Sequence, residues 1–162
     1  MKERTIPSNI ELLVYDCDGV LTDNRVIVDE NGTESAIFNR GDGYAISRIK
    51  DDLKIAQIVV STEKNPIVTK RCEKLGIDVI NGVGDKASVI SNYCKEAGIE
   101  LNDVMFIGND LNDECAMNIV GFTGCPQDAE YEITRISKWI SEKKGGYGVI
   151  RDLYRCLTTK KQ

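Results

Sequence analysis

The sequence predicts an α/β fold in which a parallel sheet is doubly wound, with helices on both faces. Short apolar runs rich in β-branched residues recur along the chain, and amphipathic segments of helical length lie between them. Such runs are typical of parallel strands buried on both faces. The alternation of strand and helix is typical of doubly wound folds. The predicted strands are 10–16, 54–61, 77–80, 103–108 and 120–124.

The predicted helices have recognisable ends. Asn65 and Pro66 give a capping residue followed by proline at the first helical position, and Gly76 and Gly98 stand where a helix ends in left-handed geometry. The predicted helices are 43–53, 66–75, 86–97 and 111–119.

Residues 25–39 depart from this alternation, because two β-prone arms flank a turn-forming stretch that ends in Asn31-Gly32. They predict a β-hairpin flap. This hairpin and one helix occupy the chain between Gly19 and Ser61, so no separate cap domain fits there. We therefore expect a single domain over 1–162, with the glycine-rich start of a C-terminal segment, 145–162, at its rim.

Composition places the chain among ordinary globular proteins. Hydrophobic residues make up 41% and charged residues 29% of its 162 residues, and the mean hydropathy is −0.26. The apolar runs are too short to span a membrane, and the N-terminus lacks the apolar core of a secretory signal. The net charge of −5, without a long basic cluster, argues against nucleic acid as the main partner. We expect a cytoplasmic protein with no membrane partner.

The chain contains no histidine, which excludes Ser-His-Asp hydrolysis, Cys-His nucleophiles and zinc held by histidine. Its six cysteines occur singly, and none is followed six residues later by arginine, so the Cys-x5-Arg phosphatase loop is absent too. That spacing favours reduced thiols over disulfides or zinc sites. Carboxylates, lysines and a metal ion remain as possible catalytic groups.

Polar side chains follow the predicted strands where their carboxyl ends would meet. In an open parallel sheet this edge forms the ligand crevice. The residues concerned are Asp16, Asp18, Ser61, Thr62, Lys86, Asn109, Asp110 and Asp113. Several of them also have a purely structural interpretation. Asp18 could shape a turn, Ser61 could cap a helix and Lys86 could be solvated, while Asp110 or Asp113 could cap the helix after Gly108. Convergence on one rim favours a site.

Four motifs on these elements resemble those of the haloacid dehalogenase superfamily: DCDGVLTD at 16–23, IVVS at 58–61, Lys86, and IGNDLND at 107–113. FNRGDGYAI, RCEKLGI and GGYGVIRD extend the resemblance to the small phosphatases of 3-deoxy-2-keto sugar acids. That family includes 3-deoxy-D-manno-octulosonate 8-phosphate phosphatase and nonulosonate (sialic-acid-type) 9-phosphate phosphatases. The chain also resembles the phosphatase-like C-terminal domains of acylneuraminate cytidylyltransferases. The implied fold is Rossmann-like.

The resemblance implies a role for each motif. Asp16 would be the nucleophile that forms an aspartyl-phosphate, and Asp18 the acid and base. Ser61 would hold phosphate oxygens, and Lys86 would offset charge on the transferring phosphoryl group.

A cluster of carboxylates would repel a phosphate dianion unless a cation intervenes, and Mg²⁺ suits such oxygen ligands. Asp16, the backbone carbonyl of Asp18 and the fourth motif would hold it, with Asp113 behind them. Many relatives have Gly-Asp-Asp in that motif, whereas this chain has Asn109 and Asp110 after the glycine. Either Asn109 binds the metal, directly or through water, or Asp110 does. The neutral amide also leaves room for a slow or inactive phosphatase.

The resemblance further implies a homotetramer in which hairpins of neighbouring subunits overhang one another's sites. The substrate would be a small sugar acid phosphate, whose carboxylate needs cations or amides. The candidate contacts are Thr62, Glu63, Lys64, Lys74, Arg40 and Arg151. Octulosonate phosphatases usually carry arginine at the position of Glu63. The combination of Glu63 with Lys74 therefore favours the nonulosonate branch.

Two other functions are compared with this one. A phosphorylation receiver domain also pairs acids after its first strand, but its phosphoacceptor ends a middle strand, and Asn81 follows IDVI here. The second is a weakly active oligomerisation or accessory module of CMP-sugar-acid synthesis, for which Asn109 is the motivating feature.

Overall fold

A six-stranded parallel sheet, with strands in the order β5-β4-β1-β6-β7-β8, forms the centre of the molecule. The structure is a computed structural model that describes residues 5–159. The strands are β1 Leu12–Tyr15, β2 Ile27–Val28, β3 Glu34–Ser35, β4 Ala56–Val60, β5 Asp78–Ile80, β6 Val104–Ile107, β7 Phe122–Cys125 and β8 Trp139–Ile140.

Helices cover both faces of this sheet. They are α1 Arg40–Arg48, α2 Pro66–Leu75, α3 Lys86–Ala97, α4 Glu114–Met117, α5 Tyr131–Ile136 and α6 Val149–Thr158. A π-helical turn, Ile49–Leu53, extends α1, and 3₁₀ turns precede β6 and α4. The predicted α/β doubly wound, Rossmann-like fold with its hairpin flap is therefore confirmed. Within residues 5–159, no helix is long and apolar enough to cross a membrane.

The sequence analysis missed three elements. The strand β8 has two residues, too few to show a period, and α5 has six. The third, α6, lies within the predicted C-terminal segment, where its apolar residues Val149, Ile150 and Leu153 are fully buried. The helical spacing of apolar residues after the glycine-rich start of that segment was the signal for α6.

Alternating strand side chains build a core on each face. Leu13 and Tyr15 of β1 belong to the layer under α1, α2 and α6, whereas Leu12 and Val14 belong to the layer under α3, α4 and α5. The chain first adds strands on the β4 side of β1 and then returns to build the β6 side. The strand order thus reverses beside β1, and such a switch point opens a crevice beyond the carboxyl ends of the strands.

The hairpin of β2 and β3 stands beside this crevice. Its strands pair antiparallel, with Ile27 opposite Ser35. Asn65, which caps α2, also donates to the Glu34 carboxylate at 2.7 Å and so links α2 to the hairpin. Apolar side chains on the hairpin are exposed, among them Val26, Ile27, Val28 and Ile37.

The start of α6 packs behind the loop that follows β1. Gly148 precedes α6 and offers no capping side chain, but the buried Asp42 of α1 accepts the Arg151 N–H at 2.9 Å and supplies a cap from another helix. The Gly146 N–H donates to the Val20 carbonyl at 3.0 Å. A Cβ atom at Gly145 would lie 2.0 Å from the backbone oxygen of Gly19, so only glycine fits at position 145.

Candidate active site

Lys86 is the buried cation of the site. It is the first residue of α3, and its ammonium lies 2.8 Å from Asp16 Oδ1 and 2.7 Å from Asp113 Oδ1. Burial opposes its charge, but these two carboxylates outweigh burial and raise the pKa of Lys86 above its ordinary value. The alternative of a solvated lysine is wrong, because the side chain is 1% exposed.

Asp16 follows β1 and is held on several sides. Its N–H donates to the Ile107 carbonyl at 2.9 Å, and its Oδ1 accepts the Cys17 N–H at 2.7 Å in addition to the Lys86 contact. Burial and the Asp113 carboxylate raise the pKa of Asp16 to about 7, with Lys86 opposing them. A nearby cation would favour the ionised form, so this carboxylate is suited to a positively charged ligand.

Asp110 and Asp113 form a reciprocal capping box around the 3₁₀ turn Leu111–Asp113. The Asp113 Oδ2 accepts the N–H groups of Asn109 at 2.9 Å and Asp110 at 3.4 Å, and Asp110 Oδ1 accepts the Leu111 N–H at 2.7 Å. The capping interpretation is therefore confirmed for both acids. Asp113 does more than cap, since its other oxygen contacts Lys86.

Asn109 is the residue of the fourth motif that approaches Asp16 and Asp18. One terminal atom of its amide lies 2.8 Å from the Asp18 carbonyl oxygen and 3.0 Å from Asp16 Oδ2. These contacts are hydrogen bonds when that atom is nitrogen. When it is oxygen, three oxygen atoms converge, and a cation is needed between them. Adjacent ligands of an octahedral Mg²⁺ at about 2.1 Å are about 3.0 Å apart, so the spacing fits this ion.

Asp18 lies in the turn after β1 and is half-buried. The Thr22 hydroxyl donates to its Oδ1 at 3.0 Å. Gly19 takes a φ of +86°, and a Cβ there would lie 2.0 Å from the Asn109 amide nitrogen. Glycine thus admits Asn109 to the carbonyl of Asp18, and the turn interpretation of Asp18 is compatible with a site.

Ser61 directly follows β4 and is buried. Its hydroxyl accepts the Glu63 N–H at 3.2 Å. The interpretation of Ser61 as the cap of the next helix is wrong, because Asn65 accepts the Ile67 N–H at 3.0 Å and caps α2.

Two clefts open on this rim. The first, of about 140 Å³, exposes most of the predicted strand-end residues; its lining is Asp16, Asp18, Asn24, Thr62, Glu63, Asn109, Asp110 and Asn112. The second, of about 200 Å³, lies between the hairpin and α2 and shares Asp18, Asn24 and Glu63 with the first. Its wall includes Val26, Ala36, Phe38, Ile67 and Val68, and its polar residues include Arg25, Glu34 and Asn65.

The other predicted contacts lie outside both clefts of the single chain. Arg40 begins α1 and is exposed, and Lys74 is exposed in the last turn of α2. The Arg151 guanidinium stacks on Tyr44, 4.6 Å from the ring centre. Lys64 is exposed beside Gly82.

Sequence reasoning missed Asn24 and Arg25 as lining residues. Arg25 donates twice to Asp23 Oδ2, from Nε at 2.9 Å and from Nη2 at 2.6 Å. Their position directly after the first motif, at the start of the hairpin, was the signal that could have identified them.

A family model described as haloacid dehalogenase-like hydrolase matches residues 6–153. The chain belongs to this family. Phosphatases are among the relatives described next, and one of known structure shares the fold, so the chain is a phosphoric monoester hydrolase.

The curated relatives include 3-deoxy-D-manno-octulosonate 8-phosphate phosphatase KdsC of Escherichia coli K12, 31% identical over 90% of this chain and 77% of the relative. N-acylneuraminate cytidylyltransferase A of Danio rerio is 24% identical over 90% of this chain and 34% of its own length.

Among solved structures, 3-deoxy-D-manno-octulosonate 8-phosphate phosphatase from Moraxella catarrhalis, in complex with magnesium, phosphate and KDO, has a TM-score of 0.88 at 30% identity. The match covers 93% of this chain and 86% of that one. The cobalt-bound deoxy-D-mannose-octulosonate 8-phosphate phosphatase from Haemophilus influenzae has a TM-score of 0.87 at 28% identity, covering 93% and 88%.

Proposed function

We propose that this protein is a magnesium-dependent phosphatase that hydrolyses the phosphate ester of a 3-deoxy-2-keto sugar acid through an aspartyl-phosphate. The observation that carries the proposal is the buried Asp16-Lys86-Asp113 cluster, beside which the Asn109 amide lies within 3.0 Å of Asp16 Oδ2 and the Asp18 carbonyl oxygen. A metal-binding carboxylate and a neighbouring ammonium together suit a transferring phosphoryl group. The similarity to sugar acid phosphatases supports the substrate class.

Asp16 is the proposed nucleophile. Its Oδ2 lies among the converging oxygens, so Oδ1, held by Lys86 and the Cys17 N–H, is the atom we assign to attack phosphorus. In the first step the Asp16 O–P bond forms as the bond from phosphorus to the sugar oxygen breaks, and Asp18 gives its proton to that oxygen. In the second step Asp18 takes a proton from water, whose oxygen bonds to phosphorus and releases Asp16.

The buried groups orient these carboxylates. Thr22 donates to Asp18 Oδ1, which leaves the second oxygen of Asp18 for the proton transfers. Ser61 is placed to hold phosphate oxygens at the end of β4, and Lys86 offsets charge on the phosphoryl group while its contacts keep Asp16 oriented.

Asp16, the Asp18 carbonyl and Asn109 would hold Mg²⁺, with Asp110 on the same cleft and Asp113 fixing the loop behind them. When bound, the ion would neutralise phosphate charge and polarise the phosphoryl oxygens. Of the two alternatives left open by the sequence, we favour Asn109 as the ligand. Its amide is the group that lies within 3.0 Å of both Asp16 Oδ2 and the Asp18 carbonyl oxygen.

The cleft beneath the hairpin is the proposed site of the sugar acid. Thr62 and Glu63 line the clefts directly. We propose that the protein forms a homotetramer, and that Arg40, Lys74 and Arg151 contact the substrate only where subunits meet. The exposed apolar hairpin supports this assembly, since apolar patches of this kind mark protein interfaces. Glu63 in place of the arginine usual in octulosonate phosphatases favours a nonulosonate 9-phosphate over octulosonate 8-phosphate.

A second candidate is a weakly active accessory module of CMP-sugar-acid synthesis. The neutral Asn109 and the similarity to part of a cytidylyltransferase favour it.

Phosphate release from three substrates separates these functions: octulosonate 8-phosphate, neuraminate 9-phosphate and deaminated nonulosonate 9-phosphate. We expect release with Mg²⁺, no release with EDTA, and highest kcat/KM on a 9-phosphate. Preference for the 8-phosphate would contradict the nonulosonate assignment. No turnover on any of the three, by folded protein, would favour the accessory module.

A further inference from the structure

Asn24 has a left-handed backbone conformation, which is more strained for a residue with a side chain than for glycine. Its φ of +65° lies in the left-handed region, and Lys54 is the other residue besides glycine with such a φ in residues 5–159. The Asn24 N–H donates to the Thr22 hydroxyl at 3.3 Å, which fixes the turn without using the side chain. Asparagine tolerates left-handed geometry better than most residues, but glycine adopts it with less strain. The turn alone therefore does not require asparagine.

Asn24 lies where the two clefts meet. It lines the cleft that contains Asp16 and Asn109, and it also lines the cleft beneath the hairpin. Among the described residues, no group forms a hydrogen bond with its amide. Asn24 is exposed, so its amide offers ligands a donor and an acceptor between the proposed phosphoryl site and the proposed sugar site.

The other polar side chains that line the cleft beneath the hairpin cannot offer the same pair of functions, since the Asn65 amide is already bonded to Glu34 and the Ile67 N–H. Glu34 and Glu63, which line the sugar cleft, are acceptors when ionised, and Arg25 is a donor that already pairs with Asp23. A sugar hydroxyl both donates and accepts, so it is matched by an amide that does the same.

We propose that Asn24 is a specificity-determining residue that binds a hydroxyl group of the sugar close to the phosphate ester. The inference rests on the proposed function and adds to it a contact with the leaving group. Because this contact is to the sugar, it discriminates between phosphate esters by whether they carry a neighbouring hydroxyl.

The test is Asn24→Gly, which removes the amide and relieves the backbone, so the variant should fold at least as stably as the unmodified protein. The matched control is Lys54→Gly, which also places glycine at a left-handed position. Lys54 precedes β4, at the edge of the sheet opposite the site. For each protein we would measure kcat/KM on the best sugar acid phosphate of the panel and on p-nitrophenyl phosphate, which carries no hydroxyl beside its ester.

We expect Asn24→Gly to lose about tenfold in kcat/KM on the sugar acid phosphate, the worth of one hydrogen bond, and to keep its activity on p-nitrophenyl phosphate within about twofold. Lys54→Gly should leave both activities unchanged. Equal losses on both substrates, or no loss on either, would overturn the assignment of Asn24 while leaving the phosphatase intact. Absence of turnover in the unmodified protein would overturn the proposed function and this inference with it.

Discussion

Replacing Asn109 by aspartate adds a charge beside Asp16 Oδ2 and the Asp18 carbonyl oxygen. The new carboxylate would lie about 3.0 Å from Asp16 Oδ2. Two unit charges roughly 4 Å apart repel by about 4 kcal/mol at an effective dielectric constant of 20. Uptake of a proton relieves part of this cost, because the pKa of Asp16 is already raised to about 7. The metal-free variant should therefore be less stable, by about 2 to 4 °C in Tm for each kcal/mol lost.

Bound Mg²⁺ reverses the sign of this effect, since the added carboxylate then attracts the ion. We expect Asn109→Asp to bind Mg²⁺ at least about tenfold more tightly, which corresponds to about 1.4 kcal/mol. Thermal unfolding in EDTA and calorimetric titration with Mg²⁺ measure the two effects. Asn112→Asp is the matched control, because it adds the same charge to the same cleft away from the converging oxygens. If Asn109→Asp binds Mg²⁺ no more tightly than Asn112→Asp, Asn109 is not a ligand.

Three further predictions follow from buried groups. Lys86→Met leaves two buried carboxylates without their cation. It should abolish turnover and lower the free energy of unfolding, measured by urea denaturation, by about 3 to 5 kcal/mol. Lys86→Arg should restore part of the stability. Gly145→Ala should lower both Tm and kcat, because its Cβ would collide with the backbone oxygen of Gly19, whereas Gly84→Ala, which meets nothing within 4 Å, should not. Burial raises the pKa of Asp42 from 3.8 to about 6. The folded state then binds a proton more tightly than the unfolded state, so this residue's contribution is fully present below pH 4 and is lost as pH rises to 6, about 3 kcal/mol in all. Asp42→Asn should flatten this dependence in denaturation curves, and an unchanged slope would contradict the assignment.

The sequence determines much of the fold because buried parallel strands leave a readable pattern. The runs around β1, β4 and β6 are continuous and apolar, and glycines end α2 and α3 at the positions predicted. Edge elements are harder to predict, since a strand as short as β8 has no period.

The site was predictable to the extent that the strand ends determine it. Asp16, Lys86 and Asn109 lie together because β1 and β6 end, and α3 begins, at one edge of the sheet. What the sequence could not supply is the direction of side chains on loops. Arg151 stacks on Tyr44 of another helix, a contact that depends on how α1 and α6 pack. The sequence marks it only as a cation.

The central claim is that Asp16 becomes phosphorylated during hydrolysis. The most direct measurement is mass spectrometry of the Asp18→Asn variant, quenched in acid after mixing with Mg²⁺ and p-nitrophenyl phosphate. The p-nitrophenolate group leaves without a proton, so Asp18→Asn should still form the intermediate and should accumulate it, because it lacks the base that activates water. We predict a phosphoryl adduct on the peptide that contains Asp16, and none when Asp16→Asn is added. An adduct elsewhere, or phosphate release that survives Asp16→Asn, would contradict the account.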